Sequence, residues 1–519
     1  MLLGPQRIKA QDEPAPVVAR ISVAHGDVSI MHDESKDWVP ATANVSVVRG
    51  DTIATGPNSR AELEFDYANV LRLGPVTEVK VAELTRTRIQ IQVAAGLVDF
   101  TNFKGTGTYI EIDTPNIAIP SLGEGVYRIQ VNGADYAQLT VRKGRAEVST
   151  PKGSRNVDRG QTIAVKGTRT PEYQLTQAGE KDNWDRWNDE RDHTITDAQA
   201  WQYTGHAYTG LEDLDRYGDW VEVPGYGWCW TPYVDAGWAP YRNGRWVSDA
   251  YYEWTWVGYE PWGWAPYHYG RWLPYDSHWY WWPGAGSNGA RPIWGPGYVA
   301  FFGFGGRPEG SGSAPVSDSI GWCPLGPRDP LNPWWGRGRT FSSINIADIN
   351  NTSNTGQDAP AGQAYGSNLQ GITTNTNLRS AITTVSLQDF AIGRVAHNLQ
   401  AVDDDIFQQG ILLRGALPVA PTKVSLLPVD RPVSPAALPS PAAIDQHFYA
   451  RNPVPTHRAS LPPEQHTGTP EPESAQSGWR HFSTHPAPAN PGTGRGQGEW
   501  KHFGPRPSGG GNPPPAHEI

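Results

Sequence analysis

The sequence has few cysteines, few charged residues and no long apolar run. Two cysteines in 519 residues exclude a disulfide-rich scaffold and a cysteine-built zinc cluster. No stretch approaches the roughly 20 apolar residues that a membrane-spanning helix needs. Charged residues make up only 18% of the chain and the net charge is −10, whereas a nonspecific nucleic-acid binder needs a basic surface. We therefore expect no nucleic-acid partner and no transmembrane span in this chain.

The N-terminal residues 1–16 lack the basic start and the apolar core of a complete secretory signal. A few apolar residues are followed by the small residue Ala10 and then by Gln11. This order is typical of the end of such a signal. We interpret this segment as a signal-peptide remnant, with a disordered start as the alternative. The first interpretation predicts an extracytoplasmic protein, in the periplasm or on the cell surface, whose signal peptide is truncated.

Short runs of alternating apolar and polar residues fill residues 17–168. In one run, Ala61 and Leu63 alternate with Glu62 and Glu64. A period of two places one set of side chains on a buried face and the other set in water. About ten such runs with glycine-bearing turns favour an antiparallel sandwich or barrel. The fold class predicted is mainly β.

The motifs of this region, in their order, resemble the FecR domain. They are Arg49-Gly-Asp-Thr-Ile, Arg60-Ala-Glu-Leu, Leu71-Arg-Leu and Gly144-Arg-Ala-Glu-Val. The resemblance implies an all-β module on the outer side of the bacterial inner membrane. The iron-citrate regulators of that family also carry a cytoplasmic anti-sigma segment and one membrane span. We find neither in this sequence, so we do not extend signalling across the membrane to it.

A strongly charged segment at residues 180–193 predicts a short connecting helix inside a linker at residues 169–200. Trp184 and Trp187 are three residues apart, which puts both indoles on one face of a helix.

Tryptophan is concentrated in the middle of the chain, where an internal repeat lies. Of 23 tryptophans, 20 fall between Trp184 and Trp335. The segment Gly237–Trp246 (GWAPYRNGRW) returns 26 residues later as Gly263–Trp272 (GWAPYHYGRW). We predict a Trp/Tyr/Gly-rich β-repeat domain at residues 201–345. Its flanking stretches DLDRYGDWVEVPGYGW and GWCPLGPRDPLNPWWG resemble the tryptophan-rich domain of unknown function that follows FecR domains in acidobacterial envelope proteins.

The aromatic residues of the repeat have two interpretations. Each indole buries about 150–250 Å², so a few of them can build the core of a small sheet. We expect this role for the Trp-x-Trp pairs Trp228/Trp230 and Trp254/Trp256. Alternatively, exposed rings would form platforms for sugar or peptide. The arginines of the repeat also have two interpretations, because a guanidinium can stack on an indole. Such an arginine would either brace the fold or line a groove for anionic groups. The candidate ligand- or partner-binding residues are Tyr241, Arg245, Trp246, Tyr267, Arg271 and Trp272.

The two cysteines occupy similar places, since each follows a Gly-Trp pair. In an oxidising compartment, Cys229 and Cys323 are candidates for a disulfide. Two separately buried free thiols are the alternative.

The C-terminal third is poor in apolar residues. We predict a flexible linker at 346–380, a small β unit at 381–430 and a disordered Pro/Gly-rich tail at 431–519. A Trp-basic-His-Phe motif occurs twice in the tail, and low-complexity drift is the alternative to a docking role. The candidate docking residues are Trp479, Phe482, Trp500 and Phe503.

No enzyme signature is present that we can name. The sequence has no phosphate loop and no nucleophile elbow, and His268 and His278 lack an obvious third ligand. We predict no catalytic residue, no metal and no cofactor. The leading hypothesis is a non-enzymatic interaction or scaffold module of the cell envelope, whose partner is an envelope protein. The alternative is binding of peptidoglycan or exopolysaccharide, and an unrecognised hydrolase comes third.

Overall fold

The computed structural model describes residues 17–205, 207–249, 251–284, 292–305, 317–336, 339–351, 366–395, 398–400, 402–438, 446–454 and 500–503. The predicted signal remnant, and the first tail motif with Trp479 and Phe482, lie outside these residues.

The N-terminal domain consists of short strands, as the alternation predicts. Their bounds are β1 Ala19–His25, β2 Val28–Met31, β3 Trp38–Pro40, β4 Ser46–Val47, β5 Thr52–Thr55, β6 Arg60–Glu64, β7 Asn69–Leu73, β8 Glu78–Leu84, β9 Arg88–Asn102, β10 Tyr109–Asp113, β11 Ala118–Ile119, β12 Gly125–Val131, β13 Tyr136–Lys143, β14 Arg145–Thr150, β15 Gly153–Asp158, β16 Gln161–Lys166 and β17 Glu172–Gln177. The domain therefore continues past the predicted boundary at residue 168, because β17 pairs with β16 along its whole length.

Two sheets share one aliphatic core. The first has the order β4-β1-β6-β7-β9-β12-β13-β16-β17. The second has the order β3-β2-β5-β8-β9-β10-β11-β14-β15. The long strand β9 belongs to both and changes sheet at Gly96, whose φ of +96° and close approach to Thr77 exclude a Cβ. The predicted β sandwich is confirmed; of these pairs, only β9 and β10 run parallel.

The predicted connecting helix is confirmed as α1, Asn183–Thr196. It begins at Asp182, whose carboxylate accepts from the backbone N–H of Asp185 at 3.0 Å, while the Asp185 carboxylate accepts from the Asp182 N–H at 3.1 Å. The rings of Trp184 and Trp187 lie 5.1 Å apart on one face. The helix covers one side of the first sheet.

The packing of α1 on this sheet overturns the expectation that the polar side chains of β6 face water. Glu62 and Glu64 occupy the polar positions of the alternation in β6, which we predicted to face water. Both are buried, because α1 and the segment at residues 211–213 pack over this face.

The aromatic domain follows. Its elements are α2 Trp201–Thr204, α3 Leu214–Tyr217, β18 Gly218–Val223, β19 Gly227–Pro232, β20 Gly244–Asp249, β21 Glu253–Gly258, α4 Ala265–His268, β22 Arg271–Tyr275, β23 His278–Trp282, β24 Val299–Phe304, β25 Ser319–Pro324 and β26 Ser342–Asn345. Later elements are 3-10 helices at Ile346–Asn351, Lys423–Leu426 and Pro435–Ala437, α5 Asn368–Thr374, α6 Thr376–Arg379, β27 Thr383–Ser386, α7 Leu387–Ala391, α8 Asp404–Gln408, β28 Ile411–Arg414 and β29 Lys501–His502.

Consecutive strands of the aromatic domain form hairpins: β18 with β19, β20 with β21, β22 with β23, and β24 with β25. Each copy of the sequence repeat supplies the second strand of one hairpin and the first strand of the next. The turns between them differ, since Tyr241 has a φ of +60° whereas its repeat equivalent Tyr267 lies in α4. The repeat therefore conserves strands and core residues but not the backbone of the turn.

The predicted small β unit at 381–430 is not separate. Strand β27 pairs with β25 and strand β28 pairs with β24, which gives a five-stranded sheet of order β26-β28-β24-β25-β27. An isolated pair of short strands would be marginal in water, whereas these two complete the sheet of the aromatic domain.

Parts of the predicted tail also belong to the folded body. Arg451 donates its backbone N–H to the Glu111 carboxylate at 2.6 Å, and Tyr449 forms a bridge with Thr114. Strand β29 pairs with β17. The remainder of the tail lies outside the described residues.

Candidate functional site

The structure places most of the predicted binding residues inside the protein. Tyr241, Trp246, Tyr267 and Trp272 are fully buried. The Tyr241 hydroxyl donates to the carbonyl of Tyr267 at 2.7 Å and accepts from the backbone N–H of Tyr298 at 2.9 Å. The prediction that these four rings form exposed platforms is therefore wrong, because the hairpins close over them and use them as core.

The indole N–H groups explain why the core of this domain is built from tryptophan. Trp272 donates to the carbonyl of Pro266 at 2.8 Å, and Trp322 donates to the carbonyl of Tyr241 at 2.8 Å. Further such bonds join Trp230 to Leu214 at 3.1 Å, Trp281 to Tyr269 at 2.8 Å and Trp334 to Trp254 at 2.9 Å. These carbonyls lie mostly in turns and connections, where no neighbouring strand can satisfy them. Each of these five rings thus supplies both apolar area and a hydrogen bond.

The two arginines of the repeat brace the fold. Arg245 is buried and donates to the carboxylate of Asp430 at 2.9 Å and to the carbonyl of Ile392 at 2.7 Å. Arg271 is half-buried, and its guanidinium lies 4.4 Å from the ring centroid of Tyr298. Both contacts are internal, which favours the bracing interpretation over a groove for anionic ligands.

The predicted disulfide is wrong, since both cysteines are free and buried. Cys229 packs with Leu273 and Trp282, whereas Cys323 packs in a different cluster with Phe302 and Leu325. Burial raises the pKa of the Cys229 thiol to about 12 and that of Cys323 well above its usual value. Equivalent places in the sequence did not bring the two thiols into one cluster.

One cluster of aromatic rings does reach the surface. The rings of Tyr203 and Trp220 stack at 4.7 Å and 17°, and Trp228 lies 4.9 Å from Tyr203. Trp228 is 46% exposed, although we expected it in the core with its repeat equivalent Trp254. Its cross-strand neighbour is the exposed Glu222. We call Tyr203, Trp220 and Trp228 the aromatic platform.

The platform is fixed to the core beneath it. The Trp220 ring meets Trp281 edge-on at 6.1 Å, and Trp281 is fully buried. Strand β19 carries Trp228 near its tip and Trp230 at its covered end. The Gly225 and Gly227 backbones, with φ of +82° and +73°, form the turn that leaves this tip open.

A buried group of charges joins the aromatic domain to the N-terminal domain. Arg20 makes a two-pronged pair with Glu64, at 2.9 Å for both contacts, and also reaches Asp213 at 2.7 Å and Glu212. Asn44 adds hydrogen bonds to the carbonyls of Gly258 at 3.1 Å and Glu260 at 2.9 Å. The contacts of Arg20 with Asp213 and Glu212, and those of Asn44, join residues 192–216 positions apart and hence hold the two domains together.

The helix α1 enters the same group of charges. Arg72 donates to Glu62 at 2.6 Å and to Asp192 at 2.6 Å, and Arg191 reaches the other oxygen of Glu62 at 2.6 Å. Asp99 lies beside these pairs. We call the whole group the charge clamp: Arg20, Glu62, Glu64, Arg72, Asp99, Arg191, Asp192, Glu212 and Asp213.

The carboxyl groups of the charge clamp have opposite protonation preferences. Burial alone would raise the pKa of Glu62, but the guanidinium groups of Arg72 and Arg191 lower it well below its usual range. Burial raises the pKa of Asp99 to about 7, and the nearby Arg72 offsets only part of that rise. Burial likewise raises the pKa of Glu212 well above its usual value, and the adjacent Glu64 charge raises it further. The clamp therefore combines ionised pairs with carboxyl groups that tend to hold a proton.

The histidines do not form a shared site. His268 is buried, its Nδ1 lies 2.8 Å from the carbonyl of Gly295, and burial lowers its pKa to about 4. His278 is exposed and contacts the carbonyl of Asp276 instead. Within the described residues, no three His, Cys, Asp or Glu side chains are arranged to hold a metal ion.

With this geometry in view, comparison with known proteins identifies the class of the N-terminal domain. A family model described as FecR protein matches residues 51–147, so the chain carries a FecR domain, as its motifs predicted. This match indicates an envelope-associated protein.

The second domain is identified in the same way. A model described as a family of unknown function, DUF6600, matches residues 211–329. The chain thus joins a FecR domain to a DUF6600 domain, and the latter holds the aromatic platform strands and most of the indole core.

Two solved structures that match are both crystal structures of a "putative anti-sigma factor" from Parabacteroides distasonis ATCC 8503. The first is 16% identical, covers 29% of this chain and 64% of its own, and has a TM-score of 0.23. The second is 15% identical, covers 32% and 72%, and has the same TM-score of 0.23. The chain thus spans about 64% of the length of the first. No curated protein matches the chain. Among the described residues, no helix has the length and apolar character to cross a membrane.

Sequence reasoning missed the aromatic platform and the charge clamp. The signal for the platform was the glycine-rich turn beside Trp228, which marks a hairpin tip where a ring has a neighbour on one side only. The charge clamp gave no local signal, because Arg20 and Arg72 sit in ordinary strand patterns and meet partners distant in sequence.

Proposed function

We propose that the chain is a non-enzymatic interaction module of the extracytoplasmic envelope that contacts its partner through the aromatic platform. The observation that carries the proposal is the stacked Tyr203–Trp220 pair with the half-exposed Trp228 beside it. Aromatic rings held rigidly at a surface are typical anchors of protein interfaces, because they bring large contact area at little cost in side-chain entropy.

The rigidity of the body supports the same proposal. The charge clamp and the Asn44 contacts fix the aromatic domain on the FecR domain. The platform is therefore presented in one orientation relative to the FecR sheets. A scaffold needs such a fixed relation between its surfaces, since a pre-organised surface loses little freedom on binding.

The experiment compares two exposed aromatic residues in the full chain. Trp228→Ala removes the open ring of the platform, and Tyr233→Ala is the matched control, because Tyr233 is 64% exposed but outside the platform. The immobilised chain is exposed to an envelope extract of the organism that encodes it, and bound proteins are quantified. We expect Trp228→Ala to lose at least tenfold of a specific partner that the wild type and Tyr233→Ala retain. Equal recovery by all three chains would refute the platform as the contact surface.

Glycan binding is a second candidate, favoured by the carboxylate of Glu222 next to the Trp228 ring. A flat indole can stack on a sugar ring while a carboxylate accepts hydrogen bonds from its hydroxyls. Co-sedimentation with purified peptidoglycan, and retention on exopolysaccharide columns, test it with the same variants plus Glu222→Gln. Retention that falls in Trp228→Ala and Glu222→Gln but not in Tyr233→Ala would support glycan binding. Unchanged retention would exclude it at this surface.

A further inference from the structure

The outer strand of the first sheet carries a strand from the C-terminal tail. Strand β17 pairs with β16 on one side. On its other side Glu172 faces His502 and Tyr173 faces Lys501 in antiparallel register. In the described part of the chain, the pairing covers only these two residues of β17, so residues 174–177 remain an edge. An edge of this kind is a template for an added strand.

Side chains of the tail motif anchor it to this edge. The ring of Phe503 lies 4.8 Å from that of Tyr173 and is buried with the aliphatic core of the FecR domain. The His502 imidazole lies 3.6 Å from the Glu172 carboxylate. The guanidinium of Arg155 packs on the Tyr173 ring at 5.7 Å. The contact is therefore a built pocket for phenylalanine with a polar partner for the preceding histidine.

The residues of the motif that precede Phe503 are exposed. Trp500 is 41% exposed and the Lys501 side chain is exposed. Phe503 is thus the inward residue, whereas His502 is exposed although its imidazole contacts the Glu172 carboxylate. This division explains the form of the motif, in which lysine and arginine alternate between the two copies.

The sequence provides this motif twice. The copy Gly478-Trp479-Arg480-His481-Phe482 repeats the Trp-basic-His-Phe pattern of Trp500-Lys-His-Phe503. From Trp to Phe it differs only in having arginine where the bound copy has the exposed Lys501. Each chain thus carries two copies of the motif, while one acceptor edge is seen among the described residues and Trp500–Phe503 occupies it.

We propose that the β17 edge is a strand-acceptor site and that the surplus motif, Gly478–Phe482, binds the β17 edge of a second copy of this chain in place of that copy's own Trp500–Phe503 segment. The bound Trp500–Phe503 segment shows the geometry, an antiparallel strand with phenylalanine against Tyr173 and histidine against Glu172. The tail then links copies of the protein through main-chain hydrogen bonds. This inference does not depend on the partner of the aromatic platform.

The first test measures binding to an acceptor edge that has been vacated. The full-length chain with Phe503→Ala is titrated against a fluorescein-labelled peptide of residues 477–484, and anisotropy is recorded. We expect saturable binding, with binding to the wild-type chain weaker by roughly 10–100-fold, because its own tethered segment competes. The matched control chain Lys501→Ala, changed at an exposed position of the same strand, should behave as the wild type.

Two changes check the pocket itself. The peptide with Phe482→Ala should lose binding at least tenfold, and Glu172→Gln in the Phe503→Ala chain should weaken binding of the unchanged peptide without altering the melting temperature. Tyr173→Ala is a more severe variant that is interpreted only together with Glu172→Gln. If the Phe482→Ala peptide binds as well as the original, or if the vacated chain binds no peptide, the acceptor site is refuted.

The second test is self-association of the full chain by sedimentation velocity across concentration. We expect a reversible increase in sedimentation coefficient for the wild type that Phe482→Ala abolishes and the matched control Arg480→Ala preserves. If Phe482→Ala associates as the wild type does, or if the wild type remains monomeric although the peptide binds, the assignment of a second copy as the occupant is overturned.

Discussion

The two domains of this chain solve the problem of burying a core in different ways. The FecR domain uses aliphatic side chains such as Ile91 and Val93 on strands whose ladders satisfy the backbone. The aromatic domain uses short hairpins joined by long irregular turns, and its core is dominated by indole rings. Where the backbone is regular, a side chain needs only to exclude water. Where it is irregular, several of the core side chains also provide a hydrogen-bond donor.

This difference explains the skewed composition of the sequence. Valine, leucine and isoleucine cannot donate to the carbonyl of Pro266 or Tyr241, whereas Trp272 and Trp322 do. Leaving such a buried carbonyl unsatisfied costs about 1–3 kcal/mol. For the five indole bonds together this loss is comparable with the roughly 5–15 kcal/mol by which a whole domain is stable.

The largest expected effect lies where the two cores meet. Arg20→Ala should destabilise the protein by about 3–5 kcal/mol, because it leaves the carboxylate of Glu64 buried without its cation. Urea unfolding followed by far-UV circular dichroism and by tryptophan fluorescence measures the change. Arg145→Ala, which breaks an exposed pair with Asp158, is the control and should change little.

The same experiment tests how separate the two cores are. With the charge clamp intact we expect both probes to report one transition. Tryptophan fluorescence reports mainly on the aromatic domain, so a gap between the two probes in Arg20→Ala would show that the clamp couples the domains. A gap already present in the wild type would contradict the single rigid body.

The next effect concerns the protonation of the charge clamp. The pKa of Asp99 is about 7 in the folded protein, against about 4 for an unfolded chain. Between these two values the folded state holds one more proton, so the free energy of unfolding contributed by Asp99 falls as pH rises through this window. Asp99→Asn removes this contribution. It should be more stable than the wild type above pH 7 by roughly 2–4 kcal/mol, with the gap closing toward pH 4.

Unfolding curves of both chains at several pH values between 4 and 8 provide the measurement. The other carboxyl groups are shared by the two chains, so the difference isolates Asp99. A constant difference across this range would show that Asp99 is ionised throughout.

A smaller effect separates the two uses of indole. Trp272 and Trp256 are both fully buried, but only Trp272 donates its N–H to a partner in the described part of the chain. Trp272→Phe should therefore cost about 1–3 kcal/mol more than Trp256→Phe, since it also leaves a buried carbonyl unsatisfied. Equal costs, measured by urea unfolding, would mean that the rings act through volume alone and would remove the contrast between the domains.

The smallest effect is expected in the FecR domain. Ile91→Val removes one methyl group from a fully buried side chain and leaves every backbone bond of β9 in place. It should cost about 0.5–1.5 kcal/mol. A loss as large as that of Trp272→Phe would indicate that the aliphatic core is as sensitive as the indole core.

Those parts of the fold that depend on neighbouring residues in sequence could be predicted. The alternation around Leu63 and Ile91 predicted the strands, and the charged segment with Trp184 and Trp187 predicted α1. The repeat predicted the strands of the aromatic domain, because a repeated pattern keeps its pairing preferences. The FecR resemblance rested on turn and strand motifs of the same local kind.

Burial and strand pairing that depend on segments distant in the sequence could not be predicted. Glu64 follows the polar phase of its strand, yet residues 211–213 bury it. Trp228 and Trp254 are equivalent in the repeat, but only the latter is enclosed by further chain. Strands β27 and β28 gave no sign of their partners, because the decisive neighbours β24 and β25 lie some 60–110 positions earlier. Sequence reasoning therefore placed the candidate rings in the aromatic domain but did not predict which of them the fold buries.

The separate burial of the two thiols has a practical consequence. Cys229 lies in the small cluster under β19 and β23, and Cys323 lies under the five-stranded sheet. A thiol-alkylating reagent reaches each sulfur only when its own cluster opens. Pulse alkylation followed by peptide mass spectrometry would thus measure separately the rates at which the two clusters open. It would need no added label and no substitution.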